Sequence, residues 1–141
     1  MVESGPLEAL GIRTGHLVRA VRQEAHKQKP GIKVSSAVFG NWEAAHRVVG
    51  QDAMAWVEAG YPGFVCPMGY EADGADFSKW VRSPVDAVNR NISCYAGIGA
   101  HRLSGPELLG RQIQLSCELG AEGFVIFNLT KRLATPYLLC G

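Results

Sequence analysis

Gly63–Asp73 reads GFVCPMGYEAD. Its first half is a short apolar strand candidate, and its second half breaks into Gly69, Tyr70, Glu71 and Asp73. A buried strand that runs straight into a tyrosine and two acids ends either in a plain surface turn or at the rim of a binding site. Three other runs share its character: IKVSSAVFG from Ile32, ISCYAGIGA from Ile92 and GFVIFNL from Gly123. Taken with Gly63, successive starts lie 31, 29 and 31 residues apart. The runs are rich in Val, Ile, Phe and Tyr with little polar alternation, which suits parallel strands covered on both faces.

Helical patterns fill the gaps. TGHLVRAVRQEAHKQ sets Leu17, Val21 and Ala25 four apart, with Thr14 as the expected N-cap. DAMAWVEAG closes on Gly60, a natural helix end. SPVDAVNR has Ser83 as the expected cap and Pro84 in the first helical position. SGPELLGRQIQLSCELG carries the capping-box pattern Ser104…Glu107, with Leu108, Gln112, Leu115 and Leu119 near one face. Gly31, Gly63 and Gly123 open three of the strands, where a tight helix-to-strand turn favours glycine.

Helix and strand thus alternate four times with the period of one βα unit. The fold class expected is α/β with parallel strands, because each crossover is long enough to hold a helix. A doubly wound open sheet and an eight-stranded barrel both use such units, and four of them make half of a barrel. Residues 1–141 are therefore read as a single partial domain, half of a (β/α)8 TIM barrel ahead of an open doubly wound sheet.

Composition narrows the function. Apolar residues make up 47% and charged residues 19%, enough for a packed core. Fourteen basic and thirteen acidic side chains give a formal charge of +1, so no nucleic-acid partner is expected. The basic cluster HKQKPGIK falls where a helix ends, a position its dipole favours for cations. No apolar stretch is long enough to cross a bilayer, and MVESGPLEALG lacks the pattern of a signal peptide. Cys66, Cys94, Cys117 and Cys140 show no CxxC spacing, and the histidines no ligand spacing. Free thiols are expected, with no metal and no cofactor. Free thiols lean to a reducing compartment, but upstream sequence carrying an export signal would reverse that, so localisation stays open.

In both architectures chemistry sits beyond the carboxyl ends of the strands. Those positions hold Gly40-Asn41-Trp42, Gly69-Tyr70-Glu71 with Asp73, Gly99-Ala100-His101 and Phe127-Asn128. Carboxylates, amides, aromatics and one imidazole suit a polyhydroxylated ligand, since aromatic faces stack on sugar C–H surfaces while amides and acids bond hydroxyls. Glu71 and Asp73 are the acids placed for general acid–base work, and their alternative is solvated loop residues. Asn41, Trp42, Tyr70, His101 and Asn128 are the candidate substrate-binding residues, although Asn41 and Asn128 would equally cap turns. GIGAHRLSG lacks the GxGxxG spacing of a phosphate cradle.

VSSAVFGNW, QDAMAWVEAGYPGFVCPMGY, GIG…L and Q…GAEGFVIFNL together resemble the second half of the glycosyl-hydrolase-like family 10 barrels. The likeness runs from about Leu17 to Leu129, and its most specific element is Asp52 and Trp56 leading into Phe64–Tyr70. Ala53 stands where the family usually has an aromatic. The resemblance implies a carbohydrate-active parent of glycoside-hydrolase type, with Tyr70 facing an oligosaccharide or polysaccharide and with Asp52 and Trp56 structural. It also implies a first half of the barrel, with an acid at its fourth strand end, upstream of Met1. Half a barrel leaves two strand edges unpaired and one face uncovered, so a homodimer or the missing N-terminal half is the expected partner. Two other functions are open: a non-catalytic carbohydrate-binding or interaction module, and a small open-sheet protein binding a phosphorylated ligand at Gly97–His101.

Overall fold

The structure, a computed structural model, describes residues 6–89 and 91–129, with side chains from Leu10 onward. Cys140 lies outside the described residues. The elements are α1 (Pro6–Gln28), β1 (Ser35–Phe39), α2 (Trp42–Val49), α3 (Ala53–Glu58), β2 (Phe64–Gly69), α4 (Gly74–Val88), β3 (Ser93–Gly99), α5 (Pro106–Glu118) and β4 (Gly123–Phe127), with a 3-10 turn at Ala100–Arg102. The four strands form one parallel sheet in the order β1-β2-β3-β4. The α/β class and the parallel strands expected from the thirty-residue period are present.

Side chains alternate across the sheet, so the register divides them into two sets. Val38, Val65, Cys94, Ala96, Ile98, Phe124 and Ile126 belong to the first set. Helices cover it with two apolar clusters. Phe77, Val81, Leu103 and Leu109 pack with Ala96 and Ile98, while Trp42, Trp56, Val57 and Val88 pack with Val38, Val65 and Cys94. Burying each large apolar side chain is worth about 1.5–3 kcal/mol. The second set holds Phe39, Phe64, Cys66, Met68, Tyr95, Val125 and Phe127. It contributes to neither cluster and packs sideways instead, as where Phe64 meets Tyr95 edge-on with ring centroids 5.3 Å apart. Coverage on both faces, which the apolar strands suggested, is met by helices on one face only among the described residues.

Helix starts differ most from expectation. Thr14 is not a cap: α1 begins at Pro6, and the Thr14 hydroxyl donates to the Leu10 carbonyl at 2.8 Å inside the helix. Leu17 and Val21, expected on the buried side with Ala25, are 63% and 50% exposed, and Val18 turns inward in their place. Ser83-Pro84 does not open a helix either. Asp73 caps α4, its Oδ1 accepting from the amides of Ala75 and Asp76 at 2.8 and 3.2 Å, and Pro84 is buried inside the helix. The Ser104 capping box is not formed, because α5 starts at Pro106 with Gly105 in the cap position. Helix α2 is an addition to the expected elements; Asn41 caps it and Gly50 closes it with a left-handed φ of 64°. Gly60 ends α3 as expected, with φ 67° and its amide donating to the Val57 carbonyl.

The thiols of Cys66 and Cys94 are free and buried, and Cys117 is free and exposed. Burial pushes Cys94 up to about 12, with smaller contributions from Cys66 and Glu122. Between the ordinary value of 9.0 and that level, an unfolded chain has released a proton that the folded chain retains. Stability therefore falls as pH rises through this window, by at most about 1.4 kcal/mol per pH unit from this one group. Cys94→Ala should flatten that alkaline decline in urea titrations. A decline of undiminished slope in the variant would show that Cys94 is not its source.

Candidate functional site

Tyr70 leaves the end of β2 and lies against two other rings. Its centroid is 5.4 Å from that of His101, edge-on at 85°, and 5.5 Å from that of Phe127, tilted at 59°. Gly99 makes this possible, since a Cβ there would come within 2.9 Å of the Tyr70 ring. Partial burial raises the Tyr70 phenol above its ordinary value, so at neutral pH it remains a hydroxyl able to donate. His101 is exposed in the 3-10 turn. Asn128 follows β4, exposed, with a left-handed φ of 56° that asparagine tolerates better than most residues. Tyr70 and His101 are thus brought together, and Phe127 joins them.

A second feature opens at the ends of β1 and β2. Asn41, Glu71, Met68, Phe39 and Trp80 line a cleft of about 310 Å³ together with the flank of α2. The Asn41 side chain is partly committed, its Oδ1 accepting from the Ala44 amide at 3.0 Å as the cap of α2. Glu71 is held by its backbone: the buried Gln112 of α5 donates from Nε2 to the Glu71 carbonyl at 2.6 Å. That bond ties the loop after β2 to α5.

Two candidates sit elsewhere. Trp42 is buried at 8% exposure within the cluster beneath β1, not on the rim as a stacking surface. The reason is helical: the first residue of α2 shares its side with Ala45, one turn on, and both face inward. Asp73 is exposed and uses one carboxylate oxygen to cap α4, an arrangement typically worth about 1 kcal/mol.

Trp80 and Gln112 are site residues with no signal of that role in the sequence. Trp80 is half-buried, backed by Gly40 and approached by the Lys79 ammonium 4.7 Å from its ring. Its position follows from α4 starting at Gly74, which places it three residues after the buried Phe77. A larger cleft of about 930 Å³ lies in the helix layer among Gly15, His16, His46, Asp52, Trp56 and Tyr61. There the Asp52 carboxylate caps α3 and stands 3.3 Å from His46 Nδ1. Among the described residues no group of three or more His, Cys, Asp and Glu side chains could hold a metal ion, and no helix is long and apolar enough to cross a membrane.

No family model matches the chain, and no curated protein matches it. Chemically, the rim offers a ring cluster with one phenol and one imidazole, and beside it a cleft with one carboxylate, one amide and an indole.

Proposed function

We propose that this chain is the C-terminal half of a (β/α)8 barrel of glycoside-hydrolase type, and that it binds carbohydrate at the carboxyl ends of its strands. Strand order that follows chain order, with the helix-packed clusters on one face, supports a barrel segment; a doubly wound sheet reverses its order at a switch point. The Tyr70–His101–Phe127 cluster beside the Glu71 cleft carries the binding assignment. Ring faces of this kind accept the C–H surface of a sugar, while Tyr70, His101 and Asn128 offer polar groups to its hydroxyls.

Hydrolysis needs two carboxyl groups flanking the bond. Glu71, in the cleft, is the better placed of the two acids, because Asp73 is engaged at a helix end. The second carboxyl is assigned to the N-terminal half that a parent barrel would supply, so the chain alone is a binder. The phosphate alternative is weaker at Gly97–His101. Gly97 is packed beneath Phe127 rather than open, and the Glu107 carboxylate lies over the Gly105 end of the next helix, where it would repel an anion.

Titration of the labelled chain with a panel of soluble oligosaccharides, followed by NMR, tests the assignment. At least one glycan should shift the amides of Tyr70, Ala100 and Asn128. Tyr70→Ala should weaken that binding about tenfold, the effect of losing a contact worth about 1.4 kcal/mol. Millimolar glycans that shift nothing at these positions would rule the assignment out.

A further inference from the structure

We propose that two copies of this chain associate about a two-fold axis, β4 of each pairing with β1 of the other, to close an eight-stranded parallel barrel. The proposal rests on the half-barrel reading above but not on carbohydrate binding. The exposed large apolar residues mark the two ends of the sheet. On the β1 side Leu10, Leu17 and Val21 are exposed along α1, with Phe39 on the strand and Val48 and Val49 on α2. On the β4 side Phe124 and Leu129 are exposed.

These two ends complement each other. Phe124 belongs to the helix-covered face of the sheet, yet it is 40% exposed, because among the described residues no helix follows β4. Helix α1 precedes β1 and packs on α2, and Leu17 and Val21 point away from the core it adjoins. With β4 of one copy set beside β1 of the other, α1 falls over Phe124 and next to α5 of that copy. The charges match as well. Helix α1 carries Arg13, Arg19, Arg22 and Lys27 against Glu8 and Glu24, whereas α5 and the turn after it carry Glu107, Glu118 and Glu122 against Arg111.

The strand edge allows the pairing. Gln51 Oε1 accepts the outward amide of Phe39 at 2.7 Å, and alternation leaves the amides of Ser35 and Ala37 facing outward for a partner strand. A two-fold axis repeats the junction, so closure buries both ends of each sheet together with the uncovered face between them. Stable interfaces bury about 800 Å² per partner, and a junction used twice draws on both ends of the sheet to reach it. The occupant proposed for the chain on its own is a second copy, because the basic α1 and the acidic α5 both belong to this chain and one junction, repeated by the axis, pairs both open edges. In a parent barrel the N-terminal half would take the same two edges.

Light scattering on the purified chain at micromolar concentrations tests this, with two variants designed for the two sides of the junction. Leu17→Asp with Val21→Asp breaks the α1 side, and Phe124→Asp breaks the β4 side. The wild type should be a discrete dimer, and each variant a folded monomer by circular dichroism. Mixing the two variants should restore dimers, because one of the two junctions in the mixed pair is then intact on both sides. If Phe124→Asp unfolds, Glu118→Lys with Glu122→Lys replaces it, and should weaken the dimer about tenfold at low salt, a loss of about 1.4 kcal/mol. A monomeric wild type, a ladder of open oligomers, or variants that dimerise as well as the wild type would each overturn the proposal. Glycan titration of the same samples separates the two ideas: a monomer that still binds oligosaccharide removes the dimer and leaves the binding assignment standing.

Discussion

Phe77→Ala should destabilise the chain by about 3–5 kcal/mol, a large share of the roughly 5–15 kcal/mol typical of a whole domain. Phe77 is fully buried on α4, and its ring lies over Gly69 at the end of β2, 3.5 Å from where a Cβ would be. It packs in the same cluster as Ile98 and Leu109, so truncation opens a cavity between sheet and helix that none of these side chains can fill alone. Phe77→Leu keeps most of the volume and should cost less than half as much. Urea unfolding followed by circular dichroism reads both. A Phe77→Ala midpoint close to that of the wild type would mean that α4 is not seated on β2 as described.

Gly97→Val is the second large effect, and here the cause is backbone. A Cβ at this position would come within 2.5 Å of the Pro67 carbonyl oxygen, 3.1 Å of the Phe127 ring and 3.2 Å of Met68 Cα. Only the ring is free to move. Strands β2 and β3 would have to separate, and overpacking of this kind costs about 1–3 kcal/mol or more. Gly74→Ala is the matching control. It lies in the first turn of α4 with only Leu115 at 4.0 Å, so alanine there should be neutral or mildly stabilising. Thermal melts of the two variants side by side would decide, and equal melting points would show that the strands do not approach so closely at Gly97.

Strands are the most legible part of the chain. Their β-branched and aromatic runs stand out from the polar helices, and their spacing alone implies parallel pairing. Helix starts are less legible because competing signals look stronger than the ones used. Ser83-Pro84 has the form of a helix start, but Asp73 captures two amides ten residues earlier, and the helix then runs through the proline because Pro84 buries its ring. EADGADFSKW looks like an acidic loop, which hides Trp80 for the same reason. The rim itself is legible in outline: Tyr70 and His101 meet there. Trp42 looks like a rim residue because nothing in GNW reveals that a helix begins at the tryptophan. Gln112 cannot be linked to Glu71 without the packing of α5.

Chain order and strand order coincide throughout the sheet. Each strand finds its partner one unit along, so no pairing among the described strands waits for distant segments to meet. Loop-closure entropy grows only slowly with length, and connections of this size keep every search local. Assembly can therefore advance strand by strand from either end. In a closed pair, the joining of β4 to the other copy's β1 is the one step whose rate depends on protein concentration. Dilution would slow that step alone, leaving the four-stranded sheet to form at the same speed.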